Sequence, residues 1–400
     1  MSAEAERADV ERLVKEFLAE HPVDSTPDRE LRGARFDAGL AFVHFDKGFG
    51  GLGVSSSLHG RVEQLFLDAG AENWAARNVI GLGMAAPTIH AHGTEEQKAL
   101  LRPLFTGEEI WCQLFSEPGA GSDLASLATR AIPEDGGYRV NGQKIWTSLG
   151  HIARRGLLVA RTDPNLPKHR GLSYFLLDMT SPGVEVRPLR QITGQAEFNE
   201  VYLTDVQVPE TDRLGAVGEG WRVSITTLAN ERVAIGGRDS RRGDGAIGTA
   251  VAEFRAAAEA GRADAASRDR LMRLWTTAEA ARLTNMRANA RARGNQAPGP
   301  EGSIAKLSYA ELNKAIYELC VDLRGIDGML IDDYTESSPD RSSGGGTAAD
   351  VRKAFLRSLA NSIEGGTSEI MRNILGERVL GLPGEPRTDR DVAWKDVPRS

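Results

Sequence analysis

The chain has 400 residues, with Lys and Arg at 49 against Asp and Glu at 56, a formal net charge of −7. That length suits two to three domains of ~150 residues, and the acidic balance excludes the broad basic footprint of a nucleic-acid binder. Two cysteines, Cys112 and Cys320, exclude a disulfide scaffold or a Cys-rich metal cage and suit a reducing compartment.

Residues 1–110 read as an N-terminal helical domain. Leu13, Val14, Phe17 and Leu18 recur at helical spacing among Glu11, Arg12, Lys15 and Glu16, which predicts an amphipathic first helix. The acidic start lacks the basic n-region of a signal peptide. No stretch reaches the ~18 uninterrupted apolar residues of a spanning helix, so a cytoplasmic protein without a membrane partner is expected. Gly48-Phe-Gly-Gly-Leu-Gly53 matches the dinucleotide-binding spacing, but Phe45-Asp-Lys before it gives no strand, and the segment reads as a glycine-rich turn. His90-Ala-His92 has no further ligand at metal-site spacing and reads as packing or surface, with no metal expected. Thr94, with acids in the first turn after it, predicts an N-cap and a short surface helix before Pro103.

Residues 111–215 change to short β-rich runs at 138–140, 156–160, 172–177, 184–186 and 199–203, read as an all-β barrel or sandwich. Asn141-Gly142 predicts a two-residue hairpin turn between 138–140 and 143–146. Residues 216–400 turn helical and predict a bundle. An interhelix loop is read at 294–302 and a mobile, Ser/Gly-rich one at 337–349.

Two motifs carry chemistry. Phe115-Ser-Glu-Pro-Gly-Ala-Gly-Ser-Asp strings small residues that let a backbone approach a ligand, with hydroxyls at Ser116 and Ser122. Asn141-Gly-Gln-Lys-Ile-Trp-Thr-Ser then sets Trp146 beside Thr147 and Ser148, an aromatic plane with donors that suits a flat heteroaromatic cofactor. Taken singly, either could equally be a structural loop or a core tryptophan.

Together with Gly-Gly-Thr-Ser-Glu-Ile (365–370) and the helical, β, helical order, these motifs resemble the acyl-CoA dehydrogenase family, across most of the chain. The resemblance implies an α+β multidomain fold: an N-terminal α-helical domain, a central β domain and a C-terminal four-helix bundle, with FAD between the last two. It places the cofactor contacts at Gln113, Phe115, Ser116, Ser122, Trp146, Ser148, Thr367, Ser368 and Glu369, with Ser116 near the ring and Trp146 over it. Substrate contacts are implied at Ser122, Arg232 and Gly365. The implied reaction is α,β-desaturation of an acyl-CoA, in β-oxidation of a fatty acid or steroid side chain. A carboxylate removes the α-proton, the β-hydrogen leaves as hydride to flavin N5, and electron-transfer flavoprotein accepts the electrons.

Two carboxylates compete for the role of base. Aligning the Gly366-Thr367-Ser368 turn puts Gly365 where many members carry the acid, leaving Glu364 one residue early. Members resembling long-chain and isovaleryl-CoA dehydrogenases take the base from a Glu-Arg pair on an earlier helix, which falls here on Glu231 and Arg232. The expected base is Glu231.

The sequence departs from the family where homotetrameric members hold FAD across subunits. Residues 251–262 lack the Phe-Gly of that motif, and Asp322 replaces its glutamine. Either Arg255 or Arg324 substitutes, in a homo-oligomer, or a second acyl-CoA dehydrogenase-like chain supplies the contacts in an α2β2 heteromer, as in bacterial members acting on bulky or dicarboxylic substrates. Two rival readings share the scaffold: a flavin monooxygenase or oxidase, and a non-catalytic subunit.

Overall fold

A computed structural model describes residues 3–235, 241–293, 301–331, 335, 337–340, 350–386 and 389–398. The expected loops at 294–302 and 337–349 lie largely outside the described residues.

The N-terminal part holds helices α1 (Ala3–Glu20), α2 (Asp28–Asp37), α3 (His59–Asp68), α4 (Ala86–His92), α5 (Glu95–Lys98) and α6 (Leu101–Thr106). Helix α1 buries Val10, Val14 and Phe17, one stripe at i, i+4, i+7, with Phe17 edge-on to Phe66 of α3 at 5.7 Å. Leu13, expected on that stripe, is 37% exposed, because the face is centred one residue further round the helix. The glycines at 48–53 form a turn: Gly48, Gly50 and Gly53 have positive φ, and a Cβ at Gly51 would lie 2.0 Å from the Phe45 carbonyl. His90 stacks on Phe45 at 4.0 Å. No cluster of three or more potential metal ligands occurs among the described residues.

Thr94 caps α5 in a reciprocal box with Gln97, as the sequence indicates. Gln97 also donates from Nε2 to the carbonyls of Thr211 and Arg213, at 2.8 and 3.0 Å, tying this helix to the end of the β domain. Gln97→Ala removes the N3 side of the cap and leaves two carbonyls without their donor. The expected loss is about 1–3 kcal/mol, read as a lower urea midpoint at unchanged slope.

The middle part is one eight-stranded mixed sheet: β1 (Trp111–Leu114), β2 (Arg130–Glu134), β3 (Gly137–Ser148), β4 (Arg155–Arg161), β5 (Leu172–Asp178), β6 (Val184–Leu189), β7 (Phe198–Pro209) and β8 (Arg213–Leu214). The order is β6-β7-β3-β2-β4-β5-β8, with β1 parallel to β4. Strand alternation divides two cores. Leu157, Val159, Leu172, Tyr174 and Leu176 face the N-terminal helices, while Leu158, Ala160, Phe175 and Leu177 pack with Tyr138, Val140, Val201 and Val206.

The hairpin expected at Asn141-Gly142 is not there. Strand β3 runs straight through both residues, and the two-residue turn is Asp135-Gly136, where Glu134 pairs with Gly137 and Gly136 has φ 78°. Asn141 instead receives the Asp205 N–H at 3.0 Å across a bulge on β7, and a Cβ at Gly142 would sit 2.3 Å from Thr129 Oγ1.

The C-terminal part is a helical bundle of α7 (Gly220–Ile235), α8 (Ala246–Glu259), α9 (Ala265–Arg293) and α10 (Glu301–Arg324), with short α11 (Val351–Ser358) and α12 (Ser368–Arg378). Helix α10 packs against all five others around Ile247, Ala250, Leu271, Ile316, Leu319 and Val351. Among the described residues no helix is long and apolar enough to cross a membrane.

Candidate active site

A cleft of about 2910 Å³ runs between the three parts and gathers most of the residues singled out from sequence: Gln113, Phe115, Ser116, Ser122, Trp146, Ser148, Glu231, Gly365 and Thr367. Ser368 and Glu369 are not on its wall. The Ser368 hydroxyl is buried and donates to Glu311 at 2.9 Å, and Glu369 points outward to Arg372 at 3.2 Å. Arg232 lies on α7, but its side chain is outside the described ones.

One wall is the 115–123 loop, fixed by a buried ion pair. Lys144, fully buried on β3, donates from Nζ to Glu117 Oε1 at 2.8 Å and to the Phe115 carbonyl at 3.0 Å. Glu117 also accepts the N–H groups of Ala128 and Thr129, at 2.6 and 2.9 Å. Burial works against the Glu117 anion, but Lys144 and these donors outweigh it and hold the carboxyl below its usual range. Burial pulls the Lys144 ammonium down despite Glu117. Pinned at that point, the loop turns tightly between Glu117 and Ala120, leaving Gly119 and Gly121 facing open space.

Beside it β3 bulges. Ile145 and Trp146 together stand against Glu200, because the register shifts between Lys144 and Thr147. Trp146 takes φ 62°, a left-handed value that costs a non-glycine residue about 1–3 kcal/mol. Its indole is 58% exposed on the cleft wall, with Phe198 edge-on at 6.1 Å. A bulge that re-aims one side chain outward is a recurring device beside functional sites. Gln191, also on this wall, has both amide heteroatoms buried and unpartnered among the described residues. An aromatic plane held outward against a backbone preference, with an unsatisfied amide nearby, fits the face and polar edge of an isoalloxazine ring.

The facing wall comes from the bundle. Trp221, Ile225, Leu228 and Glu231 line the cleft at helical spacing on α7. The opposite stripe, Val223, Ser224 and Thr227, is fully buried, and the Thr227 hydroxyl meets Thr88 and Tyr174, each at 3.0 Å. That packing fixes the roll of the helix and so aims Glu231 into the cleft.

The turn before α12 carries the second carboxylate. Arg357 donates from both terminal nitrogens to Glu364, at 3.0 and 2.8 Å, and Asn361 Nδ2 donates to Glu364 Oε1 at 2.7 Å. Lys306 donates to the carbonyls of Asn361 and Gly366, both at 2.6 Å. Burial lowers the Lys306 ammonium, and the carboxylates of Glu364 and Glu231 pull the other way. Gly365 and Gly366 have φ 62° and 91°, and Thr367 caps α12 by accepting the Ile370 N–H. Arg357, Tyr309 and Gln191 all line the cleft. Sequence reading missed them, since none falls in a motif and the seven-residue spacing from Arg357 to Glu364 follows no recognisable pattern.

Of the residues raised as substitutes for cross-subunit contacts, Arg324 is engaged by Glu253 at 2.7 and 2.9 Å, Asp322 by Arg270 at 2.6 Å, and Arg255 is exposed.

Models of the acyl-CoA dehydrogenase N-terminal, middle and C-terminal domains match residues 2–108, 112–206 and 218–380. The chain is 42% identical over 367 residues to acyl-CoA dehydrogenase FadE34 of Mycobacterium tuberculosis, a match covering 90% of this chain and 47% of that protein, so the chain spans about half the length of that relative. It is 36% identical to acyl-CoA dehydrogenase IpdE1 of the same organism, over 88% of this chain and 86% of that one. Among solved structures, the ChsE4-ChsE5 complex from Mycobacterium tuberculosis superposes with a TM-score of 0.68 at 28% identity, covering 95% of this chain and 98% of that chain. With its three matched domains in order and a cleft that fits FAD, the chain belongs to the acyl-CoA dehydrogenase family of flavoenzymes.

Proposed function

We propose that Glu231 is the base with which this acyl-CoA dehydrogenase removes the α-proton of its thioester substrate. The place of Glu231 on the cleft-lining stripe of α7 carries the assignment. Glu231 lines the cleft in one helical stripe with Trp221, Ile225 and Leu228, and Glu364 has both oxygens engaged by Arg357 and Asn361. A base must reach the proton it takes, and charge developing on the thioester oxygen needs donors in place. Gly365, without a side chain, leaves room for the acyl group beside Glu231, and Ser122 faces the cleft from the opposite loop. Gln113, Phe115, Ser116, Trp146, Ser148 and Thr367 hold the cofactor in this reading. Bound FAD supplies the hydride acceptor for the β-hydrogen, and electron-transfer flavoprotein reoxidises it.

The test is the visible spectrum of the purified protein before and after anaerobic addition of a panel of acyl-CoA thioesters. Bleaching by one of them supports the reading and names the substrate class. A flavin that stays oxidised with every thioester overturns it.

The same reading extends to assembly, as an α2β2 complex with a second acyl-CoA dehydrogenase-like chain in the cytoplasm. Support comes from the intrachain engagement of Arg324 by Glu253 and of Asp322 by Arg270, and from the exposed apolar run Ile326, Met329, Leu330 and Ile331 after α10. A stable flavin-loaded homo-oligomer of this chain alone would overturn the heteromer.

A further inference from the structure

Arg357 sits where the β domain and the bundle meet at the cleft, and it contacts both. On the bundle side its fork closes on Glu364, one residue from Gly365. On the β side its Nε lies 3.6 Å from Glu197, whose side chain is 1% exposed, and its guanidinium lies over the Phe198 ring at 5.5 Å. Phe198 is the ring standing edge-on to Trp146. An unbroken line of contacts thus runs from the flavin-facing indole, through Phe198 and Arg357, to the turn that faces Glu231. Lys306 and Asn361 brace the turn from behind.

We propose that Arg357 is a positioning residue that, with Glu364 as its counter-ion, locks the Gly365–Gly366 turn to the Trp146 wall and so fixes the gap in which the thioester lies between cofactor and base. Glu364 on this account is spent on Arg357 and takes no proton from the substrate. A lysine cannot replace the arginine, because an ammonium lacks the planar fork that meets Glu364 with both terminal nitrogens while reaching over Phe198. Small misplacements of a bound reactant are costly in rate, so the effect falls on the chemical step more than on affinity.

The inference rests on the reading of the cleft as an acyl-CoA dehydrogenase site, and its test uses the flavin-loaded protein as purified, with any partner chain that accompanies it. Arg357→Met is expected to retain FAD, to alter the visible circular dichroism of the oxidised flavin without substrate, and to slow flavin reduction about 10- to 100-fold with less than about threefold change in KM. Arg357→Lys is expected to recover little. Glu364→Gln is expected to slow reduction far less than Glu231→Gln does.

An unchanged dichroic spectrum in Arg357→Met would overturn the proposal even if no thioester reduced the wild type. So would wild-type reduction rates accompanied only by a lower melting temperature. A wild-type flavin inert to every thioester, with the dichroic change still present in Arg357→Met, would instead sink the dehydrogenase reading and leave the positioning role standing.

Discussion

Glu231→Gln is expected to keep its FAD and its fold and to lose flavin reduction by acyl-CoA by roughly 10²–10⁴-fold, the usual contribution of a positioned general base. The substitution is nearly isosteric, and the roll of α7 is set by Val223, Ser224 and Thr227 on the other stripe, so the helix has no reason to move. An amide cannot accept the α-proton, so substrate should bind, perturb the flavin spectrum and stop there. Stopped-flow absorbance at the flavin band separates the two events. Full reduction rates would return the role of base to Glu364, although that carboxylate would first have to release Arg357 and Asn361. The comparison with Glu364→Gln makes the result readable whichever way it falls.

Much of this cleft was legible in the sequence because one of its walls is built from contiguous residues. The 115–123 loop and the 141–148 strand are each a single run of chain, so short motifs carry their geometry. Register in the Gly-Thr-Ser turn set Glu364 apart from Glu231, the expected base, and the structure puts Glu231 on the cleft wall and Glu364 in the fork of Arg357. The bracing was not legible. Arg357 meets Glu197 and Phe198 across a domain boundary, and nothing local in residues 351–358 marks that encounter. Ser368 and Glu369 share a motif with Thr367, but a helix start turns successive side chains about 100° apart, which sends one into the bundle and one to solvent. Asn141-Gly142 shows the opposite failure. The dipeptide has two uses, a tight turn or a close strand approach, and the close contact with Thr129 decides for the second. Asp135-Gly136, six residues earlier, satisfied the same turn rule.

The largest stability effect is expected at Lys144. Lys144→Met removes the cation from a buried pair and leaves the Glu117 carboxylate with the N–H groups of Ala128 and Thr129. Breaking a buried pair from one side costs about 3–5 kcal/mol, and here the Phe115 carbonyl loses its donor as well. Equilibrium urea unfolding should show the loss as a lower midpoint. Because Phe115 and Glu117 begin a loop on the cleft wall where FAD is proposed to bind, the variant should also retain less FAD through purification than Gln97→Ala, whose damage lies at the junction of α5 and the β domain. The pair sets a pH dependence as well. The Glu117 carboxyl is held below its ordinary value of 4.5, so its contribution is present above that value and fades as pH falls through its lower folded one. Wild-type stability should therefore drop in acid, and the Lys144→Met variant, with the main charge partner gone, should drop less steeply over the same interval. Equal acid slopes in the two proteins would mean that Glu117 draws its stabilisation from the backbone donors alone, and that Lys144 serves the loop through the Phe115 carbonyl.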